Sequence, residues 1–348
     1  MAQSSLFDRV VSTLFGGGQR GVDNEADRQV IADTIEAVVE TVEPRVRLNA
    51  RYRDKLEGGI RATIAHMRAI AGEGLDPILL ARAAWNDDPC LNAVFARADD
   101  VPACLGGSRE LRAFFDAPAN REVQEAYALL IMKKEERTVL APRFQGDKLE
   151  QDIAQVTVNF SGHRVIAPTA TLLDTRREIG KRIMQRLAQI ALSRIVALDT
   201  KATELAEHKG FLAARMRLLN LARDGMEGIV KDPATISQEM KEVEREMKDT
   251  MADFIEAKSS LATLDGYIKQ IDGVFSHPDQ HLTLTHTPLR VNRMGFKSDD
   301  ASSGPVNDLN LVELSIGEDL RIAIAIVRCP RSELPPKVDL VANAERYL

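Results

Sequence analysis

The most regular pattern of apolar and polar positions along the chain lies between residues 232 and 272. Apolar or small residues recur there at alternating intervals of four and three, which places them along one stripe of a helix, as in a coiled coil. The pattern starts after Asp232-Pro233, a capping carboxylate followed by a first-turn proline. Its members are Ile236, Met240, Val243, Met247, Thr250, Phe254, Ala257, Leu261, Leu264, Ile268 and Ile271.

The preceding segment, residues 172 to 224, has the same spacing with one interruption, where Lys209 falls on the seam beside Gly210. It holds eleven basic and six acidic residues, a net charge of +5, whereas residues 232 to 272 hold five basic and ten acidic residues, a net charge of −5. Two seams of opposite charge predict a long antiparallel coiled-coil hairpin. The alternative is a bundle that includes the N-terminal helices. The first seam consists of Ala191, Ile195, Leu198, Ala202, Leu205, Leu212, Met216 and Leu219.

Helical spacing also dominates the first part of the chain. Two helices are predicted over 24–43 and 45–71, separated at Pro44, and several shorter helices over 76–135. The segment "AYALLIMKK" near residue 130 is apolar on all sides and is predicted to be a buried helix. The expected helical core includes Trp85, Phe95, Phe114 and Phe115.

An alternation of apolar and polar residues predicts strands in "RTVLAPRF", in "DIAQVTVNF" and in three segments after Pro278. The last of these, "LRIAIAIVRC", is apolar on both faces, which is typical of a central strand. Ser161-Gly162 is interpreted as a two-residue hairpin turn that pairs Phe160 with His163. Since the helical hairpin returns the chain to its starting point, the strands before residue 170 and after residue 280 are expected to share one sheet.

These patterns predict an α+β fold, predominantly α. An amphipathic helix and glycine linker (1–18) and a helical N-terminal domain (19–136) precede a small antiparallel β domain (137–170 plus 278–335). That domain is interrupted by the coiled-coil helical hairpin (171–274), and a tail (336–348) follows it. The amphipathic helix at 3–15 either packs on its own domain or makes a peripheral contact with a membrane or a partner.

Composition narrows the class of protein. With 348 residues, 44% of them hydrophobic and 28% charged, the chain resembles an ordinary soluble globular protein, and it contains no apolar run long enough to span a membrane. Three cysteines without a paired spacing predict free thiols in a cytoplasmic protein. A net charge of −6 argues against a dedicated nucleic-acid binder.

Candidate binding residues are mostly basic. One group would share a single face of a helix and consists of Arg47, Arg51 and Lys55. A second group carries more positive charge than Asp265 and Asp272 can neutralise, and it consists of Arg177, Lys181 and Arg182, with Arg176 and Arg186. Both groups are candidates for binding an acidic partner. The alternative for the first group is pairing with acidic residues of the preceding helix, which are Glu36, Glu40 and Glu43.

A second candidate site consists of Asn159, His163 and Arg164. His163 would need a positioned partner to act in catalysis, and its alternative role is to cover a phenylalanine ring and bond a backbone carbonyl. His277, His281 and His286 have a spacing that suggests a metal site, but His281 and His286 would point to opposite faces of a strand. No catalytic residue, cofactor or metal is therefore predicted.

The function favoured by these features is that of a non-catalytic interaction or scaffold protein, which binds partner proteins through the hairpin. The second hypothesis is an enzyme of unrecognised type, with a pocket between the helical and β domains near Asn159, His163 and Arg164. The third is a polyanion binder that uses the basic helix at 45–68. A homodimer through the coiled coil also remains open.

Overall fold

The structure, a computed structural model, describes residues 25–71, 76–145, 148–224, 233–292, 295–297 and 306–336. The fold is α+β and predominantly α, as predicted. The helix predicted at 3–15, the glycine linker and the chain after residue 336 lie outside the described residues.

The first helices match the predicted pattern but differ in one boundary. Helix α1 spans Glu25–Val42, a 3-10 turn spans Pro44–Leu48, and helix α2 spans Tyr52–Ala71. The second helix therefore begins seven residues later than predicted, because Pro44 opens a separate turn that Glu43 caps by accepting a hydrogen bond from the Arg45 N–H at 3.1 Å. One face of α2 is apolar and buried, and it consists of Tyr52, Leu56, Ile60, Ile64 and Met67.

Three short helices follow, α3 (Pro89–Val94), α4 (Asp100–Gly107) and α5 (Arg109–Asp116). Asp88 caps α3 by accepting hydrogen bonds from the Cys90 and Leu91 N–H groups at 2.8 and 3.2 Å. Ser108 caps α5 in the same way. Its hydroxyl also donates to the carbonyl of Val165 at 2.7 Å, which ties this helix to the sheet. Further 3-10 turns span Arg82–Asn86, Pro118–Asn120 and Arg331–Glu333.

The described strands form one six-stranded sheet. They are β1 (Ile78–Leu79), β2 (Glu125–Gln145), β3 (Lys148–Thr169), β4 (Leu282–Asn292), β5 (Val306–Ile316) and β6 (Leu320–Pro330). Their order is β3-β2-β6-β5-β4, and β1 pairs in parallel with β6. Strand β6 lies between β2 and β5, which confirms the prediction of a central strand. The prediction of a single sheet that joins strands before residue 170 to strands after residue 280 is also confirmed.

The helix predicted at "AYALLIMKK" is wrong. These residues form the first half of β2, which pairs with β3 on one side and β6 on the other. A strand covered on both faces is apolar at every position, and a short segment of that kind cannot be distinguished from a buried helix by its periodicity.

The hairpin turn predicted at Ser161-Gly162 is also wrong, because β3 runs through both residues. The pairing with β2 shifts there from Ile131–Arg164 to Lys133–Ser161, and Gly162 has a φ of 64°, as expected of a β-bulge. Side chains of a regular strand alternate between its two faces, so residues an odd number apart point in opposite directions. The bulge reverses this alternation, and Val158 and Val165, seven residues apart, both lie in the same core. A second register shift of β3 contains Ala167, whose φ is 56°.

Two compact units divide the described chain. The first, a sheet unit, contains 25–30, 64–184 and 278–336, and the second, a helical unit, contains 31–63 and 185–277. The five-part domain division drawn from the sequence stays a prediction. In the sheet unit, α3, α4 and α5 cover one face of the sheet, and their buried side chains include Leu91, Phe95, Leu105, Leu111 and Phe115. Trp85 and Phe114 pack against the same core.

The predicted hairpin consists of α6 (Leu172–Asp224) and α7 (Pro233–Ser259), with α8 (Leu264–Phe275) and the short α9 (Pro278–His281) after it. The predicted seam positions of both arms are all buried or half-buried. Leu212 and Leu219 of α6 pack with Val243 of α7, and three half-buried methionines, Met216, Met240 and Met247, pack against them. The two arms therefore contact each other through their seams, while coiled-coil geometry itself stays a prediction.

A continuous second arm over 232–272 was expected, but the helix is interrupted at residues 260–263. Thr263 caps the new helix, α8, by accepting a hydrogen bond from the Gly266 N–H at 3.3 Å. The chain passes so close to Gly266 that a Cβ there would lie 2.1 Å from the carbonyl oxygen of Ser260. The heptad pattern does not reveal this break because Leu261, inside it, and Leu264, at the start of α8, both occupy seam positions and are half-buried.

The interruption of the first seam has a physical explanation. The ammonium group of Lys209 lies over the ring of Phe254 at 4.7 Å from its centroid, and Lys258 approaches the same ring at 5.3 Å. A cation placed over an aromatic face is attracted by the ring quadrupole. The ring therefore stabilises the positive charge of Lys209, and this explains how a lysine can occupy a seam position.

We predict opposite effects for two glycine substitutions in the helical unit. Gly266→Ala should lower the free energy of unfolding by about 1–3 kcal/mol, because its methyl group would overlap the Ser260 carbonyl. Gly210→Ala should raise it by about 0.5–1 kcal/mol, because a Cβ at Gly210 meets nothing within 4 Å and alanine favours the helix. Thermal and urea unfolding followed by circular dichroism tests both. Equal effects of the two variants would contradict the prediction.

Candidate functional site

The basic residues predicted at 45–68 form ion pairs within the chain. Arg47 lies 3.1 Å from Glu36 and 2.6 Å from Glu40, and Lys55 lies 2.6 Å from Asp265. Arg51 is exposed and lies 3.8 Å from Asp54. The expected stripe of Arg47, Arg51 and Lys55 on one helix face is wrong, because Arg47 belongs to the 3-10 turn and not to α2.

Glu36 is the centre of the N-terminal charge network. It accepts hydrogen bonds from the Tyr52 hydroxyl and from Arg53, whose Nη2 lies 2.6 Å away. Burial would raise the pKa of Glu36, but the hydrogen bonds from Tyr52, Arg53 and Arg47 outweigh burial and lower it. For Arg47, these contacts match the alternative in which the basic residues pair with the acidic helix before them, whereas Lys55 pairs with Asp265 of α8.

The predicted basic group at the start of α6 is also paired. Arg177 lies 2.9 Å from Asp174, and Lys181 lies 3.7 Å from Glu178. Arg182 lies 2.7 Å from Glu110. The charges that neutralise this group therefore come from α5 and from the first turns of α6, and whether it also binds a partner stays a prediction.

Glu110 has a second contact that bears on the backbone of β3. Its carboxylate accepts a hydrogen bond from the Ala167 N–H at 2.8 Å, at the residue whose φ is positive. Burial would raise the pKa of Glu110, but bonds from Arg182 and Ala167 lower it. A left-handed alanine is strained, so the Arg182–Glu110 pair helps to hold the sheet in this conformation.

His163 has the structural role that was its alternative interpretation. Its Nε2–H donates to the carbonyl of Val94 at 3.0 Å, and its ring stacks on Phe95 with 4.6 Å between centroids. Burial lowers the pKa of His163. Asn159 and Arg164 are exposed, and in the described chain no carboxylate is hydrogen-bonded to the His163 ring.

The other titratable side chains form no metal centre and no reactive thiol in the described part of the chain. Within the described ranges, no three His, Cys, Asp or Glu residues are grouped so that they could hold a metal ion. Cys90, Cys104 and Cys329 are free thiols, and burial raises the pKa of Cys90 to about 12 and that of Cys104 to about 11. Cys329 is fully buried in the core. None of the helices in the described part is long and apolar enough to cross a membrane.

The sheet unit contains an apolar pocket on the sheet face opposite α3–α5. The pocket has a volume of about 60 Å³ and lies between the sheet, the end of α2 and the start of α6. Among the described residues that line it, Arg176 is the one that carries a charge. The other lining residues are Met67, Ile70, Ile179, Gly180, Ile183, Leu284, Leu314, Ile324 and Ile326.

The helical unit presents apolar side chains to solvent on its first arm. Phe211, Leu218 and Leu221 have exposed fractions of 63%, 67% and 70%, and we call them the apolar stripe. The Nε2 atom of His208 lies 3.2 Å from Glu246 of α7. This contact lies on one side of the α6–α7 pair, and we call that side the flank. Phe211 follows His208 by one helical turn, and their rings stack at 6.4 Å, so the apolar stripe begins on this flank.

An acidic row on the second arm borders the same flank. Glu242 precedes Glu246 by four residues and Glu239 precedes it by seven, so the three carboxylates share one face of α7. The flank therefore combines an apolar stripe on α6 with a negative row on α7. The sequence analysis did not predict this flank, although Phe211 and Leu218 are seven residues apart and therefore share a helix face.

No protein-family model, no curated protein and no solved structure matches this chain. The chemistry of its own side chains is therefore the basis on which its function is inferred.

We predict that His163 makes stability depend on pH. Because the folded-state pKa of His163 is lowered, the unfolded state binds a proton more readily, and stability is lost as the pH falls below about 6.5. His163→Gln should reduce the loss of melting temperature between pH 7.5 and pH 5.5. His277→Asn, at an exposed histidine, is the control. An unchanged pH dependence in His163→Gln would contradict the prediction.

Proposed function

We propose that this protein is a non-catalytic interaction protein that binds a partner through the flank of its helical hairpin. The observation that supports the proposal is the apolar stripe of Phe211, Leu218 and Leu221, all more than three-fifths exposed. The seam of α6 is already occupied by Leu212 and Leu219, which pack with α7. The stripe is therefore additional to the apolar surface that holds the hairpin together.

A group of large apolar side chains on a solvent-facing helix has a cost that isolated exposed residues do not have. Single exposed leucines are common on protein surfaces. Three large apolar residues within eleven positions, bordered by charged residues, have the composition of an interaction site. Such a stripe is suited to the apolar face of a helix from another protein.

The acidic row selects the charge of that partner. Glu239, Glu242 and Glu246 border the stripe, so a helix with basic residues beside its apolar face would match both features. A second copy of this chain, bound through the same flank, would bring two acidic rows near each other. We therefore propose a basic amphipathic helix of a partner protein, in the cytoplasm, where the three free thiols would remain reduced.

Site-specific photocrosslinking tests this proposal. Benzoylphenylalanine introduced at position 211 should capture a partner segment in the native cell, and that segment should be an amphipathic helix with basic residues. The matched control is position 255. Ile255 is 58% exposed and lies nine residues after Glu246, on the opposite face of α7.

Binding of the captured segment is then measured by calorimetry with the full chain. Phe211→Ser should weaken it by about thirtyfold, as expected of a large apolar anchor, and Glu242→Lys should weaken it further at low salt. Ile255→Ser should have no effect. The same captured proteins at positions 211 and 255, or crosslinks from position 211 to a second copy, would overturn the proposal.

A further inference from the structure

Arg176 differs from the other basic residues at the start of α6. Its neighbours Arg177 and Arg182 form ion pairs with Asp174 and Glu110. In the part of the chain that the structure describes, no acidic side chain lies within ion-pair distance of the Arg176 guanidinium, and no hydrogen bond to it is formed. It is half-buried at an apolar pocket. A guanidinium in these surroundings has lost part of its hydration without gaining a partner.

One residue that lines the pocket is of a type that a helix does not favour. Gly180 lies inside α6, one turn after Arg176, and it is buried and lines the pocket. Glycine is disfavoured in helix interiors compared with alanine and most other residues. Its lack of a side chain leaves open space between α6 and the sheet. Arg176 and Gly180 thus place a cation next to an apolar space on the same helix face.

We propose that this pocket binds a medium-chain carboxylic acid, with the hydrocarbon chain among the apolar lining residues and the carboxylate on the Arg176 guanidinium. Arginine recognises a carboxylate by two parallel N–H···O bonds, which restores the hydrogen bonds that the half-buried guanidinium lacks. The lining residues that belong to the described ranges include no carboxylate that would repel the anion. This inference concerns the sheet unit and is independent of the proposed partner site on the hairpin.

The size of the pocket limits the ligand. A water-sized group needs about 10–15 Å³ of such space, so a volume of about 60 Å³ accommodates roughly four to six methylene groups. Affinity should therefore rise from butanoate to about octanoate and change little in longer acids, whose additional carbons would remain outside. The dependence of affinity on the length of the acid therefore measures the size of the pocket.

Calorimetric titration of the full chain with octanoate tests the proposal. Octan-1-ol has the same chain without the charge and should bind at least tenfold more weakly, and octyltrimethylammonium should not bind. Arg176→Gln should weaken octanoate binding by tenfold or more, and Arg176→Lys should restore part of it. Arg177→Gln is the matched control, because Arg177 is the adjacent arginine, pairs with Asp174 and does not line the pocket.

A second variant tests the space itself. Gly180→Ala favours the helix and occupies part of the pocket, so the preferred acid should become shorter by about one carbon. Circular dichroism of each variant confirms that it is folded. Equal affinities for octanoate and octan-1-ol, an unchanged affinity in Arg176→Gln, or no saturable binding of any acid would overturn the proposal.

Discussion

The pairing of β2 with β6 is the contact on which the rest of the sheet unit depends. It joins residues 125–132 to residues 323–330, which are separated by nearly two hundred positions. An antiparallel pairing this distant in sequence can form only if the intervening chain returns to its starting point. The helices α6, α7 and α8 make that return. The pairing of β2 with β6 therefore requires that the helices between them bring the chain back to the sheet.

Much of this architecture could be predicted where the pattern is regular over many residues. The seam of α7 has a long periodicity, and β6 has isoleucine at every second position from Ile322 to Ile326, which favours a strand. The errors arose where one residue changes the local geometry. Gly162 forms a bulge and not a turn, and Gly266 accommodates a close approach of the chain that heptad spacing does not reveal. A buried strand such as the first half of β2 has no periodicity that would distinguish it from a helix.

The candidate sites were less predictable, for a different reason. Sequence reasoning identified an excess of basic residues at the start of α6, and in the structure Arg177 and Arg182 have acidic partners that are supplied by α5 and by α6 itself. Ion pairs between residues of different helices depend on the fold and cannot be deduced from the charges of one segment of the sequence. The environment of Arg176 depends on α2, α6 and three strands, so the apolar pocket next to it has no signature in any single segment.

The position of Lys209 over Phe254 defines how the two arms of the hairpin are aligned. Apolar seams alone tolerate sliding by a whole heptad, since similar residues would meet again after seven positions. A slide of that size would place the Lys209 ammonium opposite Met247 or Leu261, where no aromatic ring would compensate its loss of water. A single charged residue therefore disfavours the alternative registers, and with them the other arrangements of the outward flank of the hairpin.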